Sequence, residues 1–167
     1  KQEPLNLIKC SIKTILSDVI TELSPVFTKK KQSMNTSVIN SLPAITADAE
    51  KLHIILRNLL ENAIRHSPEN SAIEINVTSE SNHTVLRVSD RGEGIPATDI
   101  ERVFERFYQV DRARSKRFGG TGLGLAIVKH LVALHGGKIW AEDRTGGGTV
   151  FTASFPPNPS PDILTTA

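Results

Sequence analysis

Gly119-Gly120-Thr121-Gly122-Leu123-Gly124-Leu125 runs directly into Ala126-Ile127-Val128-Lys129-His130-Leu131, and few architectures accommodate that junction. Four glycines in six residues let the backbone wrap tightly and leave its amide N–H groups unobstructed by side chains. The apolar spacing that follows predicts a helix starting at once, so its free N–H groups and positive dipole end face the same point. Such a junction is a candidate phosphate cradle; a flexible loop ahead of a core helix is the plainer alternative. The commonest cradles do not fit. A P-loop needs Lys and then Ser or Thr after its last glycine, where Leu125 and Ala126 stand. The Rossmann spacing fails because nothing small stands three residues after Gly124. The His-Arg-Asp and Asp-Phe-Gly triplets of the protein kinases are missing.

The chain has 167 residues, enough for one domain with a proper core. Its 38% hydrophobic and 23% charged content fits a globular domain, and a net charge of +2 argues against a dedicated nucleic-acid surface. Cys10 has no cysteine partner, which excludes an internal disulfide. No apolar run reaches the roughly 20 residues of a membrane span, and no signal peptide is visible. The expected setting is cytoplasmic. The chain opens on Lys1, not Met, so it is expected to be a piece of something longer, whose membrane anchor, if any, lies outside it.

Leu5 to Ile8 reads as a short edge strand. Ile12, Ile15, Leu16, Val19, Ile20 and Leu23 recur at three- and four-residue steps, so residues 11–24 are expected to form an amphipathic helix ended by Pro25. Residues 34–47 hold two strand-like pieces around Leu42-Pro43, with Ile39 and Ile45 pointing inward. Asp48 is the expected N-cap of a second helix reaching His66, stopped by Ser67-Pro68. Ile73–Val77 and Val85–Val88 alternate at period two and predict an antiparallel hairpin. A short helix near 97–106 follows, then a basic irregular segment to Phe118. The helix after the glycines is expected to close at His135-Gly136-Gly137. Two last strands, 138–142 and 149–155, flank Gly146-Gly147-Gly148. From Pro156 onward, four prolines in six residues read as a flexible tail or linker. Strands and helices without strict alternation, the clearest strands being hairpin partners, predict a two-layer α/β sandwich. Its sheet is mixed, mostly antiparallel, and packed on three helices.

Three sets of side chains can carry chemistry. On the second helix, Leu52, Leu56, Leu59, Leu60 and Ala63 share the core face. Asn58, Asn62, Arg65 and His66 fall on another stripe, roughly 120° round. Asparagine oxygens backed by a cation suit Mg²⁺ and the phosphates it bridges, whereas a solvated helix face is the bland alternative. Asp90 ends an apolar strand, with Gly92 and Gly94 at alternate positions. A carboxylate there can accept from an exocyclic amine such as adenine N6, while the glycines let a flat ring lie on bare backbone. A plain Asp-Gly turn is the alternative. A Rossmann turn there lacks the parallel strand it requires, since Tyr108–Phe118 offers no apolar run. Third, Phe104 and Phe107 are spaced to pin a short helix, and Arg112, Arg114, Lys116 and Arg117 crowd the segment beyond. A basic loop beside a glycine cradle suits a mobile lid that meets a triphosphate; a solvated charge run is the alternative. The Thr149 hydroxyl follows the last glycines.

Taken together and in order, these blocks resemble the catalytic and ATP-binding domain of sensor histidine kinases. That domain belongs to the superfamily shared with gyrase, heat-shock-chaperone and mismatch-repair ATPases. The N box resembles residues 58–67, and the first glycine box resembles Asp90-Arg91-Gly92-Glu93-Gly94. The phenylalanine box resembles Phe104-Glu105-Arg106-Phe107-Tyr108, and the second glycine box resembles residues 120–125. Gly146-Gly147-Gly148-Thr149 completes the set, so the likeness spans about residues 1–155. The resemblance implies ATP and Mg²⁺ as cofactors, a Bergerat-type fold with an ATP lid, and the following roles. Asn62 ligates Mg²⁺, Asn58 supports metal and phosphates, and Arg65 reaches the phosphates; Arg114 and Arg117 are the expected phosphate contacts of the basic lid segment. Asp90 reads adenine N6, while Gly92, Gly94 and Ile95 line the base pocket. Gly120, Thr121, Gly122, Leu123 and Gly124 close over the phosphates. The last glycines read either as a plain hairpin turn or as a further ligand contact made through the Thr149 hydroxyl. His66 stands where the family usually has an aromatic residue. A neutral imidazole can stack there, and its protonation near pH 6.5 is expected to weaken binding.

The family's phosphoacceptor histidine sits in a separate helical domain, followed by an acidic residue and a nearby proline. None of His53, His66, His83, His130 or His135 has that setting. The resemblance therefore implies the catalytic part of a histidine kinase, which hands the γ-phosphoryl group to a partner dimerisation domain and, through it, to a response regulator. The fragment itself is expected to be monomeric. Hydrolytic relatives carry a Glu base where this chain has Asn58, which favours transfer over hydrolysis. An ATPase or serine kinase of the same superfamily, or a nucleotide-binding module without chemistry, is the alternative.

Overall fold

The computed structural model describes residues 4–111 and 120–159. Strand β1 (Leu7–Cys10) leads into helix α1 (Ile12–Lys29), β2 (Ser33–Val38), β3 (Ile45–Asp48) and helix α2 (Ala49–His66). Then come β4 (Ala72–Glu80), β5 (His83–Ser89), helix α3 (Gly124–Leu134), β6 (Lys138–Asp143) and β7 (Thr149–Phe155). The five-stranded sheet runs β2-β4-β5-β7-β6; β2 lies parallel to β4, and every other pair is antiparallel. This is the mixed, mostly antiparallel sheet the pattern predicts. β1 does not join it: it sits two residues later than expected and pairs with β3 in a separate ladder.

Alternation explains the layers. β4 buries Ile73, Ile75 and Val77 and turns Glu74, Asn76 and Thr78 away, so one sheet face takes the helices. Ser81 and Asn82, both at positive φ, turn β4 into β5. Against that face lie Leu52, Leu56, Leu59, Leu60 and Ala63 of α2, the stripe read from the sequence, with α1 and α3 on either side. Asp48 caps α2 as expected, accepting from the Lys51 N–H at 3.1 Å. The helix stops at His66 before Ser67.

Three expectations need correction. α1 does not end at Pro25 but continues to Lys29 with the proline inside. Proline cannot donate to the Thr21 carbonyl; the Ser24 hydroxyl donates there instead, at 2.9 Å, and Phe27 keeps its place against the core. The segment 97–106 is turns with one 3₁₀ turn at Arg102–Phe104, not an α-helix. Only Val103 and Phe104 are buried there, too few anchors for an amphipathic face. Phe104 meets Phe151 edge-on at 6.1 Å, whereas Phe107 is 66% exposed at φ 62° and pins nothing through its ring. Lastly, Ile45 is buried but Ile39 is only half buried, and Val38 packs on the core in its place.

α3 starts at Gly124 and closes at His135 and Gly136, the latter at φ 71°. Residues 156–159 are irregular, joined to β3 by the Thr46 N–H, which donates to the Pro157 carbonyl at 3.3 Å. Among the described residues, no helix is long and apolar enough to cross a membrane.

Candidate functional site

The predicted residues come from four segments, and close backbone approaches bring them together. α2 presents Asn58, Asn62, Arg65 and His66 on its last turns. The glycine junction lies along this stripe: a Cβ at Gly124 would stand 2.9 Å from Asn58 Oδ1, and one at Gly120 would stand 3.6 Å from Arg65 Nη1. The segment after β5 reaches the same helix end, where a Cβ at Gly92 would stand 2.9 Å from the His66 carbonyl oxygen. At Gly92 a side chain would meet the His66 backbone and force the two segments apart, whereas at Gly124 it would displace the Asn58 carboxamide. Gly94 in turn faces Gly148 across 3.6 Å from its Cβ position. Thr149, first in β7, completes the ring of segments.

Asp90 is the polar centre of this arrangement. It is 3% exposed, and its Oδ1 accepts from the backbone N–H groups of Gly92 (2.9 Å) and Thr149 (3.1 Å). Among the described residues nothing donates to Oδ2, so that oxygen is the acceptor available for a ligand. Burial raises the Asp90 carboxyl above its ordinary range, while the two N–H bonds and the charges of His66 and Arg144 pull it back. His66 is surface-exposed yet hemmed in by protein. Desolvation lowers its pKa, Arg65 and Lys30 lower it further, and Asp90 and Glu93 oppose.

Asn62 is 9% exposed, and its amide makes no hydrogen bond to another described residue. A carboxamide oxygen here, uncommitted to any other described residue, fits an oxygen-seeking cation or a polar ligand at this spot. Asn58 differs: its amide donates to the Ile54 carbonyl at 2.8 Å, which aims Oδ1 at the start of α3. No side chain caps α3, and no acidic residue occupies its first turn, so its leading N–H groups stay open to an anion.

Several supports are absent from the sequence reading. The buried Ser67 hydroxyl, read as part of a helix stop and as the last residue of the N box, accepts from the Arg91 N–H at 3.1 Å and ties the end of α2 to the segment after Asp90. Phe107 acts through its backbone, donating its N–H to the Gly122 carbonyl at 2.9 Å. Gln109 donates to the Gly120 carbonyl at 2.8 Å. No spacing signal marks these contacts, because each partner lies on another segment; the spacing of Phe107 from Phe104 points to its ring, not to its backbone. Ile95 packs on the core, half buried. Thr121 is exposed, its hydroxyl accepting from the Leu123 N–H at 3.4 Å. Arg114 and Arg117 lie outside the described residues.

Comparison with known proteins identifies the family and the fold. The family of histidine kinase-, DNA gyrase B- and HSP90-like ATPases matches residues 47–159. Sensor histidine kinase WalK of Bacillus subtilis is 45% identical over 114 residues, which is 67% of this chain and 19% of that protein. Sensor-like histidine kinase SenX3 of Mycobacterium tuberculosis is 38% identical over 151 residues, 90% of this chain and 37% of that protein. The chain thus spans well under half the length of these relatives. Among solved structures, the catalytic domain of histidine kinase ThkA in a nucleotide-free form has a TM-score of 0.83 at 27% identity, covering 93% of this chain and 98% of that one. Full-length ShkA in complex with AMPPNP has a TM-score of 0.83 at 29% identity, covering 96% of this chain and 33% of that one. Sequence match and shared architecture fall on the same stretch that assembles the site, so this chain belongs to the histidine kinase-, DNA gyrase B- and HSP90-like ATPase family and resembles the catalytic domains of its sensor kinases.

Proposed function

We propose that this chain is the nucleotide-binding catalytic half of a two-component sensor histidine kinase. Residues 1–155 form that domain, and 156–167 form a tail or linker. It binds ATP with Mg²⁺ and presents the γ-phosphoryl group to a histidine on a separate helical dimerisation domain. A response regulator is the downstream partner; the solved complex of histidine kinase ThkA with response regulator TrrA, at 25% identity, supports that assignment. The observation that carries the reading is the meeting of the Asn58–His66 stripe with Asp90 and both glycine segments.

In this reading Asn62 ligates Mg²⁺, with Asn58 behind it. Arg65 faces the phosphates, as do the leading amides of α3, the segment 120–124, and Arg114 and Arg117. Asp90 Oδ2 accepts from adenine N6, while Gly92, Gly94 and Ile95 wall the base, His66 stacks on it and Thr149 closes its side. Bound Mg²⁺ supplies charge neutralisation of the phosphates. The bond from the γ-phosphorus to the β–γ bridging oxygen breaks as a bond to an imidazole nitrogen forms, and ADP leaves with the electron pair. The chain's part is positioning and charge. Asn58, its amide nitrogen committed to Ile54, is no general base, which favours transfer over hydrolysis.

Asn62→Asp and Asp90→Asn test the site by calorimetric titration with Mg-ATP. Asp90→Asn retains an Oδ1 for the Gly92 and Thr149 N–H groups but replaces the free oxygen by a donor. A charged hydrogen bond contributes about 1.5–3 kcal/mol, so affinity should drop about tenfold or more. Parent-like affinity in both variants would show the site to be misplaced. Supplying a cognate histidine domain should then yield phosphohistidine. Steady phosphate release without that acceptor would instead identify an ATPase, and binding without transfer would identify a module that signals by occupancy.

A further inference from the structure

Outside the base pocket, on the sheet face turned away from the helices, two arginines converge on one carboxylate. Arg91 Nη2 lies 3.1 Å from Glu74 Oε1, and Arg144 Nη2 lies 3.4 Å from both oxygens of Glu74. Arg144 is the better sequestered of the two, its side chain 14% exposed. Its other nitrogen, Nη1, donates to the carbonyls of Thr145 and Gly147, each at 3.3 Å. Its own backbone N–H donates to the Gly148 carbonyl at 3.0 Å, and the Gly147 N–H donates to the Arg144 carbonyl at 3.0 Å. The guanidinium thus braces the β6–β7 turn at Thr145 and Gly147, beside two backbone bonds that close it.

That turn needs bracing. Gly146, Gly147 and Gly148 sit at φ 88°, 99° and 103°, and three consecutive glycines impose almost no conformation of their own. What the turn determines lies on the other side of the sheet. The position of a Gly148 Cβ is only 2.1 Å from the Asp90 carbonyl oxygen, and the next residue, Thr149, donates its N–H to Asp90 Oδ1. Glu74 pairs in register with Ser89, the residue before Asp90. Both ends of the Asp90 segment are therefore referred to one carboxylate on β4.

We infer that Arg144, anchored by Glu74, is a positioning residue for base selectivity: it fixes the turn that orients Asp90 Oδ2 toward an exocyclic amine. This rests on the proposed reading of Asp90 as the adenine acceptor. Arg144 does not reach the base; it acts through Gly147, Gly148 and Thr149.

The test compares Mg-ATP with the Mg complex of purine riboside 5′-triphosphate, which lacks only the N6 amine. Parent, Arg144→Ala, Arg144→Lys and Glu74→Gln are titrated with each, and urea unfolding is followed alongside. The parent should prefer ATP by about tenfold, the size of one charged hydrogen bond. Arg144→Ala and Glu74→Gln should shrink that preference by several-fold, mainly through weaker ATP binding, and Arg144→Lys should restore part of it. A merely structural role would weaken both ligands alike. A parent that does not distinguish the two ligands would remove the adenine role of Asp90 itself. A selective parent whose variants keep the full preference, or lose both ligands equally, would overturn the role of Arg144.

Discussion

At the scale of single residues, the site depends on where backbone replaces side chain. Gly147 and Gly148 are adjacent and alike in φ, at 99° and 103°, yet their surroundings differ. Nothing lies within 4 Å of a Cβ at Gly147, whereas one at Gly148 would collide with the Asp90 carbonyl oxygen at 2.1 Å and approach Arg91 Cα to 3.1 Å. Gly147→Ala should therefore carry only the backbone strain of that conformation, about 1–3 kcal/mol, and retain most of its Mg-ATP affinity. Gly148→Ala should add a displacement of Asp90 from Thr149, lose clearly more stability in urea, and lose most of its affinity. Equal losses from both would mean that strain, not the fit against Asp90, accounts for the glycines.

At the scale of elements, what was legible in the sequence was local. α2 announced itself through an N-cap three residues from its partner, a periodic core face and a Ser-Pro stop, all within one stretch of chain. The β4–β5 hairpin did the same through period two and a short polar turn. Legibility failed where the deciding partner was distant. Pro25 is a local exception: it reads as a terminator because the Ser24 hydroxyl that relieves the Thr21 carbonyl, three residues away, is a side-chain bond that propensity does not register. The segment 97–106 read as a helix because its anchoring depends on Phe151, across the core. The bond from Arg144 to Glu74 spans 70 residues.

His135 is the clearest such case among the elements. It is 1% exposed, its Nδ1–H donates to the Leu131 carbonyl at 2.7 Å, and its Nε2 accepts from the Asp48 N–H at 3.1 Å. These partners assign the neutral tautomer. One ring thus joins the end of α3 to the start of α2, the helix carrying the Asn and Arg side chains. His135→Leu removes the acceptor and leaves a buried N–H unsatisfied, which should lower stability by about 1–3 kcal/mol, read as a lower urea midpoint. His135→Gln, able to accept from Asp48, should lose less. Identical losses would assign the contribution to packing against Phe155, whose ring lies 6.2 Å from the imidazole.

At the scale of the whole molecule, the site and the fold pull against each other, and pH separates them. Burial raises Asp90, so the folded chain holds that proton more readily than the unfolded one. Stability from this group falls as pH rises through the carboxylate range, and neutral pH bears the cost of a desolvated charge. His66 runs the other way. Its folded value is lowered chiefly by desolvation, so below about pH 6.5 the unfolded chain takes up the proton first. Stability accordingly climbs with pH through the interval under 6.5 and levels off above it. Any acid-side weakening of nucleotide binding at His66 must therefore begin at lower pH than an ordinary imidazole would give. In urea unfolding between pH 5 and 7, the parent midpoint should rise with pH, and His66→Gln should rise less. Mg-ATP affinity, measured on both proteins over the same range, should diverge only on the acid side, because the phosphates' own protonation is common to both. Parallel curves in stability and affinity would mean that the imidazole is neither desolvated nor in contact with the base, and the base pocket would then have to be walled by Ile95 and the glycine backbone without it.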